Sequence, residues 1–136
     1  IPREGAGMDV EKLPASQADA AYVMPSHQFP MGTVMPISRR MELLRWAGER
    51  EGRYLIEDDY DSEFRYRGKP IPALQGYDTK GCVIYLGTFS KAIAPGIRVS
   101  YMVLPESLLS SLLSAESQHW KKRWIRTQQK KIFVRQ

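Results

Sequence analysis

One short loop of this sequence groups an amine with hydroxyl and guanidinium side chains. Lys91 closes the loop Gly87-Thr88-Phe89-Ser90-Lys91, and Arg98 follows seven residues later. A lysine amine forms a Schiff base when a carbonyl compound can reach it and when partial desolvation lowers its pKa. The hydroxyls of Thr88 and Ser90 and the planar guanidinium of Arg98 are suited to binding a phosphate. The loop therefore indicates Schiff-base chemistry beside a phosphate site.

An acidic cluster supplies a second set of candidate groups. Asp58, Asp59 and Tyr60 come directly after a short apolar run. A carboxylate such as Asp58 pairs with a protonated pyridine nitrogen, which makes the ring a better electron sink, and Tyr60 is able to donate to a phenolic oxygen on such a ring. Their positions alone are also consistent with no functional role, in which case Lys91 is a surface lysine and Asp58 an exposed loop carboxylate.

Two rival motifs are weaker. The loop that ends at Lys91 lacks the first glycine and the Gly-Lys-Ser/Thr ending of a phosphate-binding P-loop. Four carboxylates offer oxygen ligands to a divalent cation, but their spacing is not that of an EF-hand, and acidic clusters after strands are usually solvated. These are Asp58, Asp59, Asp61 and Glu63. We therefore predict no metal site, and we expect local hydrogen bonds for the isolated His27 and His119.

Short apolar runs must position these groups. The runs are Ala20–Met24, Arg53–Glu57, Cys82–Leu86 and Val99–Leu104. Strands separated by helices or loops favour a parallel or mixed α/β sheet, in which ligands bind at the carboxyl ends of the strands. The acidic cluster and the lysine loop follow two of these ends. We therefore expect the two groups of candidate residues to meet at one edge of the sheet.

The first predicted helix follows Pro36. Ser38 is a candidate N-cap, and Ile37, Met41, Leu44 and Ala47 recur on one helical face. Gly52 is placed to end this helix at its C′ position. A second helix is predicted from Glu106 to about Ser114.

Composition excludes several classes of protein. The net charge of +5 resides in the tail of residues 114–136, which holds seven basic side chains and one acidic one, so the body is close to neutral and gives no support to nucleic-acid binding. Cys82 is the only cysteine, which excludes a disulfide framework and a cysteine-based zinc site.

No apolar stretch is long enough to cross a membrane, and the first residues do not resemble a secretory signal. We expect a cytoplasmic location.

Three stretches of the sequence resemble a known family. The chain is similar to the aminotransferase domain of MocR-type (GabR-like) bacterial regulators, which join a GntR-type winged helix-turn-helix to a domain resembling fold type I aminotransferases. The resemblance covers roughly residues 20–113. The stretches that carry it are PSHQFPMGTVMPISRRMELLRWA, YLIEDDYDSEFRYRGKPIPALQG and VIYLGTFSKAIAPGIRVSYMVLP.

The resemblance assigns a cofactor and its contacts. It implies pyridoxal 5'-phosphate (PLP), held as an internal aldimine on Lys91 in the TFSK motif. By the same resemblance Asp58 pairs with the pyridine nitrogen, although a shift by one residue to Asp59 stays open, and Tyr60 lies near the phenolic oxygen. The phosphate side of the site is assigned to Thr88, Ser90 and Arg98.

One position departs from the wider aminotransferase pattern. Aminotransferases usually carry an asparagine in an Asn-Pro-Thr-Gly-like loop, which contacts the phenolic oxygen. Phe29 stands there in this sequence, and His27 or Gln28 is a candidate to compensate. The HQFP form resembles the regulators more than the enzymes. Met31 stands where the regulators usually have serine or threonine.

These observations predict an α/β fold, a partial large domain of a fold type I PLP-dependent transferase with a mainly parallel sheet flanked by helices. Residues 1–19 form an opening segment, residues 20–113 the central PLP-binding part, and residues 114–136 a basic tail that we expect to be aberrant or frameshifted. We expect the DNA-binding module, the early part of the PLP domain and the small domain to lie outside this chain. DNA would then be contacted only through the absent module.

Three functions stay open at this stage. The first is an effector domain that senses a small amino compound at Lys91, and the second is a catalytic class I/II aminotransferase in which Lys91 also moves the α-proton. The third is an inactive, truncated remnant. Full-length relatives are expected to be homodimers. Transamination stays open for the full-length form and is not expected of this segment alone.

Overall fold

The structure is a computed structural model that describes residues 3–4, 7–28, 32–59, 72–89, 99–114, 123–126 and 131–135. These ranges form strands β1 (Arg3–Glu4), β2 (Gly7–Met8), β3 (Ala20–Val23), β4 (Tyr54–Asp59), β5 (Val83–Thr88), β6 (Ser100–Leu104), β7 (Arg123–Arg126) and β8 (Lys131–Arg135). They also form helices α1 (Ile37–Gly48), α2 (Leu74–Tyr77) and α3 (Glu106–Ser114). None of the helices in the described ranges is long and apolar enough to span a membrane.

The main sheet has the strand order β3-β4-β5-β6-β8-β7. Strands β3, β4 and β5 are parallel, and each further pairing is antiparallel. The chain reverses after β5 because only eleven residues separate Thr88 from Ser100, and a parallel crossover needs a dozen or more. The expected α/β class is confirmed. Within the described strands the sheet is mixed, with a parallel part of three strands, in agreement with the parallel or mixed sheet that the sequence predicted.

The hydrophobic core lies on one side of the parallel strands, which we call the inner face. Helix α1 contacts β4 there. The opening segment contributes too, since Val10 and Leu13 are buried in the same cluster, beside two short 3-10 turns at Val10–Lys12 and Pro14–Ser16. The core residues of β3, β4, β5 and α1 are Ala21, Val23, Leu55, Val83, Leu43, Trp46 and Ala47.

The opposite side of the same strands is the outer face. Side chains alternate along a strand, and residues paired in a parallel register share a face. The pairings Tyr22 with Ile56 and Asp58 with Leu86 therefore place these residues together, on the side away from Leu55. The outer face of β3, β4 and β5 carries Tyr22, Ile56, Asp58, Ile84, Leu86 and Thr88.

The limits of α1 differ from the prediction. Pro36 is the N-cap, so Ser38 lies inside the first turn and caps nothing. The ring of Pro36 fixes its φ, which is −59° here, and its missing N–H costs the helix nothing at this end. The helix ends at Gly48, and Gly52, with φ of +83°, belongs to the turn that follows.

The buried face of α1 also differs. The sequence predicted a face that begins at Ile37, but this side chain is 50% exposed. The buried residues are Arg40, Leu43, Trp46 and Ala47, of which only Ala47 was predicted. Helical spacing of three and four residues connects Arg40 to Leu43 and Ala47. A charged residue begins the buried face, which is why hydrophobic periodicity missed it.

Arg40 is fully buried because its guanidinium binds carbonyl oxygens of three separate segments. Nε donates to Met35 at 3.1 Å, one terminal nitrogen donates to Pro72 at 2.9 Å, and the other donates to Pro25 at 2.9 Å. Pairing a buried charge with several acceptors offsets its desolvation. Arg40 thus fixes the loop that follows β3 against the segment that leads into α2.

The tail contributes backbone pairing at the edge of the sheet. Strand β8 pairs antiparallel with β6, from Ser100 opposite Arg135 to Leu104 opposite Lys131, and β7 pairs with β8. That the tail is aberrant or frameshifted stays a prediction.

Candidate functional site

Asp58 and Asp59 are the last two residues of β4, where the sequence predicted a loop directly after the strand. In the register with β5, Asp58 is paired with Leu86 and Asp59 with Gly87. Consecutive strand residues point to opposite faces. Asp58 therefore lies on the outer face and Asp59 on the inner face, so the two carboxylates cannot coordinate the same metal ion.

The Asp58 carboxylate is partly buried and is bound by a neighbouring strand. Tyr22 of β3 donates its hydroxyl hydrogen to Oδ2 of Asp58. This hydrogen bond, followed by desolvation and the negative charge of Asp58, raises the pKa of Tyr22 to about 12. Sequence reasoning missed Tyr22 because it treated the β3 run as a buried strand. The alternation of Tyr22 with buried Ala21 and Val23 is the signal that would have placed its hydroxyl on the outer face.

Thr88 ends β5 on the same face as Asp58. It lies two residues beyond Leu86, the register partner of Asp58, so the two Cα atoms are about 8 Å apart in a regular sheet. The Thr88 hydroxyl donates to the carbonyl oxygen of Val99 at 3.2 Å. A hydroxyl can rotate its hydrogen toward another acceptor, so Thr88 is also able to serve a phosphate oxygen.

The inner-face aspartate has a different environment. Asp59 is 8% exposed, and its Oδ2 accepts a hydrogen bond from the Tyr85 hydroxyl at 2.8 Å. Its Oδ1 is buried without a hydrogen-bond partner. Burial, then hydrogen bonds with Tyr101 and Asp59, raise the pKa of Tyr85 far above its ordinary value. Asp59 is thus held in a buried polar cluster, away from the outer face.

Gly87 lets this aromatic cluster approach the backbone of β5. The Tyr101 ring lies where a side chain at Gly87 would be, so even a Cβ would overlap Cζ of the ring. The ring of Tyr101 packs 5.9 Å from that of Tyr85 and 4.9 Å from that of Phe89, centroid to centroid. The Tyr101 ring thus contacts both neighbours of Thr88 in the chain, Gly87 and Phe89. It therefore sets the position of the end of β5.

Glu57 anchors the next segment to the same strand. It is fully buried on the inner face, and its carboxylate accepts hydrogen bonds from the backbone N–H groups of Leu74 at 2.8 Å and Gln75 at 3.0 Å. Burial raises the pKa of Glu57, and these two hydrogen bonds partly oppose the shift. The contact attaches the start of α2 to β4 close to the aspartates.

The loop after β3 closes on itself through Gln28. The backbone N–H of Gln28 donates to the Thr33 carbonyl at 2.9 Å, and the Gly32 N–H donates to the Gln28 carbonyl at 2.8 Å. Gly32 has φ of +66°, a conformation that favours glycine, and the His27 ring lies 3.5 Å from where its Cβ would be. Phe29 and Met31 lie outside the described residues, so their predicted departures from the family pattern are not placed.

The structure brings together two of the predicted site residues, Asp58 and Thr88. The remaining four lie outside the described ranges, so their roles stay predictions. These four are Tyr60, Ser90, Lys91 and Arg98. Asp61 and Glu63, which were considered for the rejected metal site, also lie outside these ranges. Sequence distance places Lys91 three residues beyond Thr88 and Tyr60 two beyond Asp58.

The outer-face pair suits a pyridoxal phosphate molecule chemically. Asp58 presents an acceptor for a pyridinium N–H, with one carboxylate oxygen already bound by Tyr22. Thr88 presents a hydroxyl for the phosphate at the same edge of the sheet. The carboxyl edge of an α/β sheet is also where such folds bind ligands. The residues present therefore fit this cofactor.

Curated relatives are regulators that this chain matches over most of its own length. It is 52% identical over 109 residues, 80% of the chain, to the uncharacterized HTH-type transcriptional regulator YdeL of Bacillus subtilis. It is 43% identical over 108 residues, 79% of the chain, to the probable rhizopine catabolism regulatory protein MocR of Rhizobium meliloti. These matches cover 23% and 21% of the two relatives, so the chain spans less than a quarter of their length. No protein-family model matches the chain.

Among solved structures, the chain is similar to the kynurenine aminotransferase of Pyrococcus horikoshii, which was crystallised with PMP. The TM-score is 0.75 at 36% sequence identity, over 85% of this chain and 30% of the other. The expected fold type I architecture is thereby confirmed. The expected resemblance to the aminotransferase-like domain of the MocR-type regulators is likewise confirmed over the matched part of the chain.

Proposed function

We propose that this chain is the PLP-binding segment of an effector domain in a bacterial transcription regulator, with the cofactor held as a Schiff base on Lys91. The observation that carries the proposal is the common face of Asp58 and Thr88 at the carboxyl edge of adjacent parallel strands. A residue for the ring nitrogen and one for the phosphate thus share one face, with Cα atoms about 8 Å apart in a regular sheet. Lys91 follows Thr88 by three residues, which supports its assignment as the anchor.

The register also supports Asp58 over Asp59 as the partner of the ring nitrogen. The outer face carries Asp58 and Thr88 together, whereas Asp59 is buried on the inner face against Tyr85. A cofactor bound along the outer face would meet the Asp58 carboxylate and not that of Asp59. The one-residue ambiguity of the sequence is thereby reduced in favour of Asp58.

Each residue has a defined task in the proposed site. Asp58 accepts the ring N–H, Tyr60 donates to the phenolic oxygen, and Lys91 supplies the amine. The phosphate is bound by Thr88, Ser90 and Arg98. When bound, PLP supplies an electron sink and a carbonyl carbon for amines. A small amino compound that competes with Lys91 for this carbon would be the effector, and its binding would be signalled to a DNA-binding module elsewhere in the full protein.

The proposal also includes features of the full-length protein that lie outside this chain. A DNA-binding module, a homodimer and a cytoplasmic location are expected because the curated relatives are HTH-type regulators. The sequence of the intact gene tests this reading. An encoded winged helix upstream of residue 1 supports the regulator, whereas an uninterrupted aminotransferase sequence favours the enzyme.

A catalytic aminotransferase is the second candidate. It is favoured by the 36% identity to the kynurenine aminotransferase of known structure. In that function Lys91 would additionally accept and return the α-proton of the substrate. Conversion of an amino acid to its keto acid by the full-length protein would distinguish an enzyme from a sensor, which binds amines without turnover.

An absorbance titration with PLP tests the cofactor assignment. We expect the 136-residue chain to develop a near-visible band with PLP that is absent in Lys91→Ala. Lys80→Ala is the matched control, because Lys80 lies in the turn before β5, at the other end of the strand from Lys91. Reduction with borohydride followed by peptide mass mapping should place the trapped pyridoxyl group on Lys91.

Two results would contradict the proposal. A band of equal strength in Lys91→Ala would exclude Lys91 as the anchor. The absence of any band in the wild-type chain at saturating PLP would favour the third hypothesis, an inactive remnant.

A further inference from the structure

Each of the two consecutive aspartates of β4 is bound by a tyrosine from a different neighbouring strand. Tyr22 of β3 binds Asp58 on the outer face, and Tyr85 of β5 binds Asp59 on the inner face. The Tyr85 bond belongs to the buried packing around Gly87. The Tyr22 bond has no such packing role, since Tyr22 is 51% exposed on the side opposite the core. Its contact with Asp58 therefore calls for another explanation.

The parallel register makes this contact specific. Tyr22 is paired with Ile56, which lies two residues before Asp58 on the same face. The long tyrosine side chain leans along the strand direction and reaches the carboxylate one pleat ahead, at the carboxyl end of β4. A shorter hydroxyl residue at this position would not reach that far. The hydrogen bond to Asp58 therefore requires both the length of the tyrosine side chain and its terminal O–H.

The chemistry of the contact suits a carboxylate that must receive a second donor. A carboxylate has two oxygens with about four acceptor positions. The Tyr22 hydroxyl uses one position on Oδ2 and restricts rotation of the group, while the other positions stay able to accept an N–H from a ligand. An acceptor held in a fixed orientation binds with a smaller loss of conformational entropy.

We propose that Tyr22 is a positioning residue that holds the Asp58 carboxylate in the orientation in which it receives the pyridine N–H of PLP. The inference rests on the proposed function and adds to it a residue from β3. Tyr22 acts through Asp58 and does not contact the cofactor. Its substitution by phenylalanine removes only the hydroxyl and leaves the ring in place.

A double-mutant cycle on PLP affinity tests this role. The absorbance titration is performed on the full chain as wild type, Tyr22→Phe, Asp58→Asn and the double variant. We expect Tyr22→Phe to weaken PLP binding about tenfold, because cofactor binding must then order the Asp58 carboxylate that the hydroxyl otherwise holds in place. In the Asp58→Asn background, we expect the same Tyr22→Phe change to have less than about a twofold effect, because the carboxylate it positions is no longer present.

Tyr77→Phe is the matched control, since Tyr77 is an exposed tyrosine in α2, on a different element from the site. Its PLP affinity should equal that of the wild type. The urea midpoint of Tyr22→Phe should shift only slightly, because the Tyr22–Asp58 hydrogen bond is exposed to water and contributes little to folding. A structural role in the core would lower the midpoint clearly.

The outcomes separate this inference from the function on which it rests. If the wild-type chain forms the Lys91-dependent band and Tyr22→Phe binds PLP equally well, the positioning role is wrong and the cofactor assignment stands. If Tyr22→Phe weakens binding tenfold in both backgrounds, Tyr22 contacts the cofactor directly and the positioning role is again wrong. If no band forms in the wild type, the cofactor assignment itself fails.

Discussion

Asp58 and Asp59 are adjacent in sequence, yet their carboxylates lie on opposite faces of the sheet. Asp58 is bound by Tyr22 on the outer face, and Asp59 is buried against Tyr85 on the inner face. The two side chains therefore have separable roles, one at the candidate site and one in the core. Substitutions at these two positions should affect different measurements.

We expect Asp59→Ala to lower the free energy of unfolding by about 1 to 2 kcal/mol, because the partly buried Tyr85 hydroxyl loses its bond to the Asp59 carboxylate. The matched Asp58→Ala change should cost less than about 0.5 kcal/mol, since Asp58 is only partly buried. Urea denaturation followed by circular dichroism measures both. Equal losses at the two positions would contradict the difference in environment.

Gly87→Ala should destabilise the chain by about 1 to 3 kcal/mol, because the new Cβ overlaps the Tyr101 ring. Gly76→Ala in α2 is the control, since the nearest atom to its Cβ would be 3.8 Å away and alanine favours a helix. The melting temperature of Gly87→Ala should fall several degrees below that of Gly76→Ala, which should equal or exceed that of the wild type. A Gly87→Ala variant as stable as the wild type would show that Tyr101 can move aside freely.

Arg40→Met should cost about 3 kcal/mol or more. The methionine fills a similar volume but removes the Arg40 donor from the carbonyl groups of Met35, Pro72 and Pro25. The Pro25 carbonyl keeps a hydrogen bond from the Met35 N–H, so most of the cost arises at the other two carbonyl groups. Arg45→Met on the exposed side of α1 should change the free energy of unfolding by less than about 0.5 kcal/mol. Chemical denaturation of both variants checks the comparison, and a loss of the same size at both positions would refute it.

The pH dependence of stability should contain a contribution from Glu57. Because burial raises the pKa of Glu57, the folded state binds its proton more tightly than the unfolded state does. The stabilisation is fully present below the ordinary glutamate pKa and is lost as the pH rises through the raised one. Glu57→Gln should abolish this loss, whereas the exposed Glu51→Gln should retain it.

Unfolding free energies of the wild type and both variants, measured from pH 4 to pH 8, test this dependence. The wild type should lose stability relative to Glu57→Gln as the pH increases. Parallel curves for the wild type and Glu57→Gln would show that Glu57 has the same proton affinity in the folded and unfolded chain.

Tyr22 should ionise at a pH of about 12, because its hydroxyl donates to the Asp58 carboxylate. In Asp58→Asn the negative charge is removed, so the pKa of Tyr22 should fall toward the ordinary value of 10. Carbon-13 tyrosine NMR, with the Tyr22 signal assigned from Tyr22→Phe, measures both titrations. An unchanged titration in Asp58→Asn would mean that the Tyr22–Asp58 bond does not form in solution.

The positions of strands β3 to β6 along the chain, and the sheet edge at which a site is expected, follow from local properties of the chain. Apolar runs near Tyr22, Leu55, Ile84 and Met102 predict strands because such residues pack well on a pleated surface. Polar groups directly after two of these runs predict a site at the carboxyl edge of the sheet. The motifs around Asp58 and Lys91 predicted the resemblance to the MocR-type regulators that the relatives confirm.

Pairing between strands settled the rest, because it depends on contacts between residues that are far apart in the chain. The family spacing favoured Asp58 but left Asp59 open, and only the register with β5 places one beside Thr88 and the other against Tyr85. The bond from Tyr22 joins residues 36 positions apart, and the burial of Arg40 depends on carbonyl groups from three segments. Periodicity assigns a side chain to a face of its own strand, but its partner across the sheet is chosen by the fold as a whole.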